Sequence, residues 1–415
     1  MVQVTVRVGM LQPHHVLPRH AIRRCHKYQT PCSSTMKFPR TLAGVTLPAM
    51  AALAPLGSDA AAPCASRDQQ KTASSKYSSS YEVADAAFSS IIDHSQPVHV
   101  VAERDYAFAH EAPVYLDKLN KLFFVSNRLG DRDSAHQHIQ LQTLDLACGA
   151  VEHLPQHLVK QLPMPNGATN WPATDDSFVL VTQGSCDHPP AINRVNLSSM
   201  SSEVLLDSYQ GKQFNSPNDV VLYCDGSIWF TDPPYGYKQN FRPPPELGSR
   251  VYAFNPTTGA VSVLAEDFAM CNGIAFSPDF QTLYVTDTGE ESENTQPRAE
   301  TIYAFDVVAP APGSDTESSD SSSKSSSAAM PRLENRRVFA VTCSIKPDGI
   351  KVDSNGNVYT GTHDGVEVFA PSGARLGSIK CGRVTNLAFI GSTLYCLSEE
   401  KIQAVKLNAT GAQLP

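Results

Sequence analysis

Six short motifs in this sequence hold residues able to do chemistry. They are His110-Glu111-Ala-Pro-Val-Tyr, Pro165-Asn166-Gly-Ala-Thr-Asn170, Ser216-Pro-Asn218-Asp219, Cys271-Asn272-Gly-Ile-Ala, Lys346-Pro-Asp348-Gly-Ile and Val384-Thr-Asn386-Leu-Ala. From Glu111 onward, a carboxylate or carboxamide recurs at intervals of 55, 52, 54, 76 and 38 residues. The longest interval contains a Ser/Asp-rich stretch of 23 residues, 309–331, and without it would be 53. Equivalent places therefore carry Glu111, Asn166, Asn218, Asn272, Asp348 and Asn386, all oxygen donors. Oxygen donors suit a hard cation such as Ca²⁺, which takes roughly six to eight of them. No Cys or His recurs at the same place to favour a softer metal. Asn-Gly and Asp-Gly are also common turn dipeptides, so Asn166-Gly167, Asn272-Gly273 or Asp348-Gly349 alone reads as a turn. Recurrence at a similar offset before an apolar run is what points to a ring.

A ring needs a repeating scaffold, and one is visible. A turn followed by a short β-rich run occurs at residues 120–126, 176–182, 225–232, 280–287, 355–362 and 391–398. Most are followed by a second run, as in Arg250-Val-Tyr-Ala-Phe and Thr301-Ile-Tyr-Ala-Phe. These pairs are expected to be the last two strands of each unit. A unit of about 40 to 50 residues made of short strands is the mark of a propeller blade. Six units predict an all-β, six-bladed β-propeller with a central metal site, spanning residues 95–410. In such a fold the innermost strand of every blade lines a central channel, so one fixed place per blade makes a ring around the axis. A strand near residues 98–102 is expected to close the last blade, which otherwise shows too few strands.

Composition is consistent with this. The 415 residues are 41% hydrophobic and 18% charged, with 30 Pro and 24 Gly, as in a turn-rich globular protein. A net charge of −8 without a Lys/Arg cluster in the body argues against a nucleic-acid partner. No apolar run approaches the roughly 20 residues needed to span a bilayer, so no membrane partner is expected. The ten cysteines show no C-x-x-C pair or zinc spacing; pairing among them requires an oxidising compartment, with a connectivity that sequence does not give.

Residues 1–58 lack Asp and Glu but carry seven Lys/Arg, so residues 1–64 read as a targeting segment. Met36, the basic Lys37 and Arg40, and an apolar run ending near Ala60-Ala61-Ala62 resemble a signal peptide, predicting secretion; the alternative is a mitochondrial presequence. Residues 65–94 read as a linker. Residues 309–331 cannot bury a core and read as a disordered insertion between strands.

The motifs carry a family resemblance. His110-Glu111-Ala-Pro-Val-Tyr resembles the Gly-Glu-(Ser/Ala)-Pro-Val-Trp opening of the gluconolactonase, senescence marker protein and luciferin-regenerating-enzyme superfamily. Asn218-Asp219, Asn272-Gly273 and Asp348-Gly349 follow in that family's order. Pro165-Asn-Gly-Ala-Thr-Asn170 and Asp364-Gly-Val-Glu-Val look most like its fungal lactonohydrolase branch. The resemblance implies metal ligands at Glu111, Asn218, Asn272 and Asp348, with Asp348 also the catalytic general base or nucleophile. It implies a metal-dependent hydrolase that opens lactones, the cation polarising the carbonyl. His110 stands where the family has glycine. Asn166, Asn170 and Asn386 are candidate substrate-binding residues, and Asp219, Asp232 and Asp287 candidate supports. His188 and His363 are alternative proton acceptors. No P-loop, G-x-G-x-x-G or G-x-S-x-G motif offers a different chemistry. The competing readings are a propeller that binds a ligand without chemistry, and an organophosphate or aryl-ester hydrolase on the same scaffold.

Overall fold

The computed structural model describes residues 80–93, 95–171, 177–289, 300–310 and 330–413. The targeting segment, most of the expected linker and most of the Ser/Asp-rich insertion lie outside these residues. Six antiparallel sheets of four or five strands follow one another along the chain, with a two-stranded hairpin, Ser208–Tyr209 and Lys212–Gln213, between the second and third. From inside outward, blade 1 is Glu111–Leu116, Lys121–Val125, Leu141–Asp145 and Val151–His153. Blade 2 is Pro165–Asn170, Ser177–Thr182, Ala191–Asn196 and Ser201–Leu206, and blade 3 is Val220–Leu222, Ile228–Asp232, Arg250–Phe254 and Val261–Ala265. Blade 4 is Cys271–Phe276, Thr282–Asp287, Thr301–Val308 and Arg332–Val341; blade 5 is Ile350–Val352, Val358–Thr362, Gly365–Phe369 and Arg375–Ile379. Blade 6 takes Asn386–Ile390, Thr393–Leu397 and Lys401–Lys406 from the C-terminal part and its outer strand, His99–Glu103, from the N-terminal part. The innermost strands contact one another in sequence, and the sixth contacts the first. This is the six-bladed all-β propeller expected.

The repeated β-rich runs are the second and third strands of each blade, not the last two. They are legible because both faces are covered: Phe178, Val179, Leu180 and Val181 are fully buried in succession. A fourth strand such as Ser201–Leu206 is half-exposed and lacks an apolar signature. Six apolar clusters hold the ring together, one at each blade-to-blade interface. Phe123 of blade 1 meets Phe178 of blade 2, Phe230 and Tyr252 pack with Ile192, and Val405 with Tyr359. Burying such side chains contributes about 1.5–3 kcal/mol each.

The linker reading fails over residues 80–93. Tyr81–Val83 adds a fifth strand to the outer edge of blade 5, paired with Arg375–Ile379. The helix Ala86–Ile91 follows, N-capped by Asp85, whose side chain accepts from Ala87 N. Phe88 and Ile91, three apart on one helical face, sink into the cluster between blades 5 and 6. Glu82 bridges Arg375 and Lys380 at 3.1 and 2.7 Å. The serines just upstream conceal this packed segment. The insertion joins the two outer strands of blade 4, where Val308 pairs with Arg332. No helix among the described residues is long and apolar enough to cross a membrane. Cys148, Cys224, Cys271, Cys381 and Cys396 are free thiols.

Candidate functional site

The Asn-Gly and Asp-Gly pairs lie at the starts of the innermost strands and are not hairpin turns. Strand register shifts at Glu111/Val114, Pro165/Ala168 and Cys271/Ile274, so these are bulges that re-aim a side chain next to the axis. The glycine lets the next blade come close. A Cβ on Gly167 would sit 2.5 Å from Asn218 O, one on Gly273 2.6 Å from Asp348 O, and one on Gly349 2.4 Å from Asn386 Cγ. Side chains then fasten the carbonyls of the ring residues across blades. Asn166 Nδ2 donates to Asn218 O at 2.8 Å, Thr231 Oγ1 to Asn272 O at 2.6 Å and Thr286 Oγ1 to Asp348 O at 2.7 Å. Thr385 Oγ1 does the same for His110 O at 2.5 Å.

His110, Glu111, Asn166, Asn218, Asn272 and Asp348 all line one cavity of about 690 Å³ at one mouth of the channel. Asn386 does not line it; buried behind Glu111, it donates Nδ2 to Glu111 Oε2 at 2.6 Å. It therefore holds Glu111 and does not face a substrate. Asn170 is four residues beyond Asn166 and lines a separate pocket of about 120 Å³ with Tyr115, Phe276 and Lys351, its Nδ2 donating to Tyr115 O at 2.8 Å. The substrate-binding expectation for Asn170 is corrected: four strand residues carry it about 13 Å along the channel.

The supports behave differently from one another. Asp219 is buried behind the ring and accepts from Val220 N and Ile274 N. Asp232 accepts from Asn215 N and Ser216 N, and Asp287 from Ala269 N and Met270 N, fixing the loops that lead into Asn218 and Asn272. Glu367 does the same ahead of Asp348, accepting from Cys343 N and Ser344 N. Sequence reasoning passed over Glu367, although it lies in the repeated third strand.

His188 and His363 are exposed and outside the cavity; the histidine that lines it is His110. Its Nδ1 lies 3.2 Å from Glu399 Oε1, and Asn127 Nδ2 donates to both Glu399 oxygens. Burial alone would raise Glu399, but His110 and Arg383 beside it and the Asn127 bond hold its carboxyl down at about 2. Tyr235, from the short helix Tyr235–Lys238, was also missed. Its hydroxyl accepts from Asn272 Nδ2 at 3.1 Å and lies 2.6 Å from Thr288 Oγ1. With Nδ2 so engaged, Asn272 keeps Oδ1 for another partner.

Burial pushes the Glu111 carboxyl well above the usual range, and the nearby Asp348 and Asp219 carboxylates add to it. Burial likewise pushes Asp348 up to about 6, opposed by His110 and Arg383. Asn218 Oδ1 is buried without a hydrogen-bond partner among the described residues, an arrangement that costs free energy unless something meets it. Two crowded carboxylates, one orphaned carboxamide oxygen and a second carboxamide oxygen oriented by Tyr235 fit a hard divalent cation. Among the described residues no three His, Cys, Asp or Glu side chains converge as a metal cluster. A cation here would rely on the two asparagines.

Residues 109–399 match the family described as SMP-30/Gluconolactonase/LRE-like region. A lactonohydrolase, oryL, from Aspergillus oryzae is 29% identical over 308 residues, 68% of this chain; the chain spans 64% of that relative's length. A gluconolactonase from Zymomonas mobilis is 26% identical over 77% of this chain and 84% of its own. A solved gluconolactonase from Xanthomonas campestris superposes with a TM-score of 0.58 at 26% identity, covering 79% of this chain and 94% of that one.

Proposed function

The chain belongs to the SMP-30/gluconolactonase/LRE-like family, and on that premise we propose that it is a hydrolase that opens lactones with the help of one divalent cation, Ca²⁺ by its donor set. One observation carries the reading: Glu111, Asn218, Asn272 and Asp348, from four different blades, meet at a single cavity with an unsatisfied buried oxygen among them. These four would hold the ion. When bound, it supplies charge that polarises an ester carbonyl and stabilises developing oxyanion character. Asp348 is the group that takes the proton of attacking water, or attacks the carbonyl carbon itself; either role needs its negative charge. Asn386 holds Glu111, and Tyr235 keeps the Asn272 amide turned so that its oxygen faces away from Thr288. Asn166, in the same wall and tied to Asn218 O, is positioned to meet the substrate's polar groups. The substrate is a small lactone or related ester.

The test is pH-stat hydrolysis of γ- and δ-lactones before and after EDTA, then after Ca²⁺ is restored. Turnover that falls with EDTA and returns with Ca²⁺ is expected. Turnover indifferent to EDTA removes the cation from the reading. No turnover of any lactone or aryl ester leaves a propeller that binds without chemistry. Export through a signal peptide from Met36 belongs to the same proposal, and N-terminal sequencing of secreted protein tests it.

A further inference from the structure

The mouth of the cavity has a charge that the proposed reaction does not use. Among the described residues Arg128, Arg132, Lys238, Lys346 and Arg383 line it, against the carboxylates of Glu111 and Asp348. Among the described lining residues cations outnumber carboxylates five to two, in a protein whose net charge is −8. Three of the five are engaged: Arg383 Nη1 lies 3.3 Å from Glu399, and Lys238 and Lys346 have partners of their own. Among the described residues neither Arg128 nor Arg132 makes an ion pair, and Asp131 and Asp133, which flank Arg132, are exposed and do not line the cavity.

These two guanidiniums sit on a loop that is held in place. Gln137 is 8% exposed and uses both ends of its amide: Oε1 accepts from Arg128 Nη1 at 2.7 Å, while Nε2 donates to Arg132 O, Ser134 O and Gln239 O at 3.0, 2.9 and 2.7 Å. Gln239 follows the Tyr235–Lys238 helix of blade 3, so the loop is pinned across the mouth from blade 1. Arg128 is half-buried; burial and the nearby Arg132 oppose its charge, and the Glu399 carboxylate offsets them only in part. A buried glutamine that fixes the Arg128 guanidinium and the Arg132 backbone beside a cavity, with the two guanidiniums near enough to repel, prepares a place for an anion, which planar guanidinium groups take up with paired hydrogen bonds.

Resting on the lactonase reading, we infer that the substrate is an anionic lactone, one bearing a carboxylate or phosphate group that Arg128 and Arg132 receive while the ring carbonyl reaches Asp348. The rim also draws such substrates in from solution, an effect that salt screens.

The experiment compares matched pairs: a γ-lactone with and without a ring carboxylate, and a δ-sugar lactone with and without a phosphate. The anionic member of at least one pair is expected to have a kcat/KM higher by roughly tenfold or more, mainly through KM, with the advantage shrinking as salt rises. Which pair shows it separates carboxylate from phosphate. In Arg128→Gln and Arg132→Gln the ratio of anionic to neutral kcat/KM should drop by about tenfold. Equal kcat/KM within both pairs, or a ratio untouched by both substitutions, overturns the inference. If no lactone is hydrolysed, the lactonase reading is what has failed. Calorimetric titration of the ring-opened dicarboxylate and of its phosphorylated counterpart into wild type and Arg132→Gln then decides separately: binding weakened by the substitution upholds the anion site, and absent or unchanged binding removes it.

Discussion

The two mouths of the channel are built from the same strands and share almost no chemistry. One holds Glu111, Asn166, Asn218, Asn272 and Asp348 in a polar cavity of about 690 Å³; the other is a pocket of about 120 Å³ walled by Tyr115, Val220, Ile274, Phe276, Val352 and Phe389, with Lys351 the one charged wall residue among the described residues. Positions 111 and 115, 166 and 170, 272 and 276, and 348 and 352 are each four apart on one strand or its lead-in. The scaffold repeats around the axis and also along it, yet only the bulged end carries a ligand set. What separates the mouths is the bulge and its glycine, which bring neighbouring blades close enough to lock the ring residues together.

Substitutions at each end break or sharpen this contrast. The largest effect is expected for Asp348→Asn, which keeps the shape and removes the charge. General-base catalysis is worth about 10²- to 10⁴-fold, so kcat at saturating Ca²⁺ should fall by that order, while Asn170→Ala at the far mouth stays within about twofold. Steady-state kinetics across a Ca²⁺ titration read both; recovery of Asp348→Asn at high Ca²⁺ would reduce Asp348 to a ligand, and a comparable loss in Asn170→Ala would erase the distinction between the mouths.

Next is Gly273→Ala. Its Cβ would meet Asp348 O at 2.6 Å, a backbone atom that cannot step aside. Overpacking of this kind costs about 1–3 kcal/mol and should lower Tm. Ala at Gly259, where a Cβ meets nothing within 4 Å, controls for crowding, although its φ of +74° adds strain of its own. A Gly273→Ala protein with unchanged Tm and kinetics would show that the close approach is dispensable.

Tyr235→Phe should be milder. Losing the hydroxyl frees the Asn272 amide to rotate, and Ca²⁺ affinity should weaken by about 10-fold, with kcat recovering once the site is saturated. A variant with wild-type affinity but lower kcat would instead place Tyr235 against the substrate.

The smallest effect lies away from both mouths. Burial by itself raises Glu82, but Lys380 and Arg375 outweigh it and hold its carboxyl at about 2, below its unfolded value near 4.5. Its stabilisation is therefore present above about pH 4.5 and is lost as pH falls from there toward 2. Because Glu82 is about one-third exposed, only a few tenths of a kcal/mol are expected. Limited proteolysis at residues 80–93 between pH 5 and 3 should quicken in wild type and show a flatter pH response in Glu82→Gln.

The blades were legible because buried β-runs recur after a turn, and five of the six ring positions were legible because a polar residue recurs at the head of each innermost strand, four of them with Ala or Gly beside it. The rest depended on depth and on distant partners. The motif Pro165-Asn-Gly-Ala-Thr-Asn170 offers two asparagines, and only the length of the strand shows that they serve opposite mouths. Asn386 matches the repeat in type, but Glu111, 275 residues away, has taken its amide. His110 was visible as a departure from glycine; its partner Glu399 is 289 residues further on. Tyr235 and Arg128 sit in connections outside the repeat, where periodicity gives no signal. The strand Tyr81–Val83 and its helix were hidden by serine-rich sequence, although Phe88 and Ile91 at helical spacing were there to be seen.

Blade 6 borrows its outer strand from residues 99–103, so Val100 pairs with Gln403 across some three hundred residues. During synthesis the early strand must wait, unpaired, until nearly the whole propeller has emerged from the ribosome. Five blades can assemble in order, but the ring stays open, with an exposed edge available to another chain, until the last hairpin arrives. Closure is thus the step most dependent on distant contacts, and the slowest by that measure. A chain interrupted anywhere before residue 406 is left with an edge ready to aggregate, so quality control of this protein falls on its final few dozen residues.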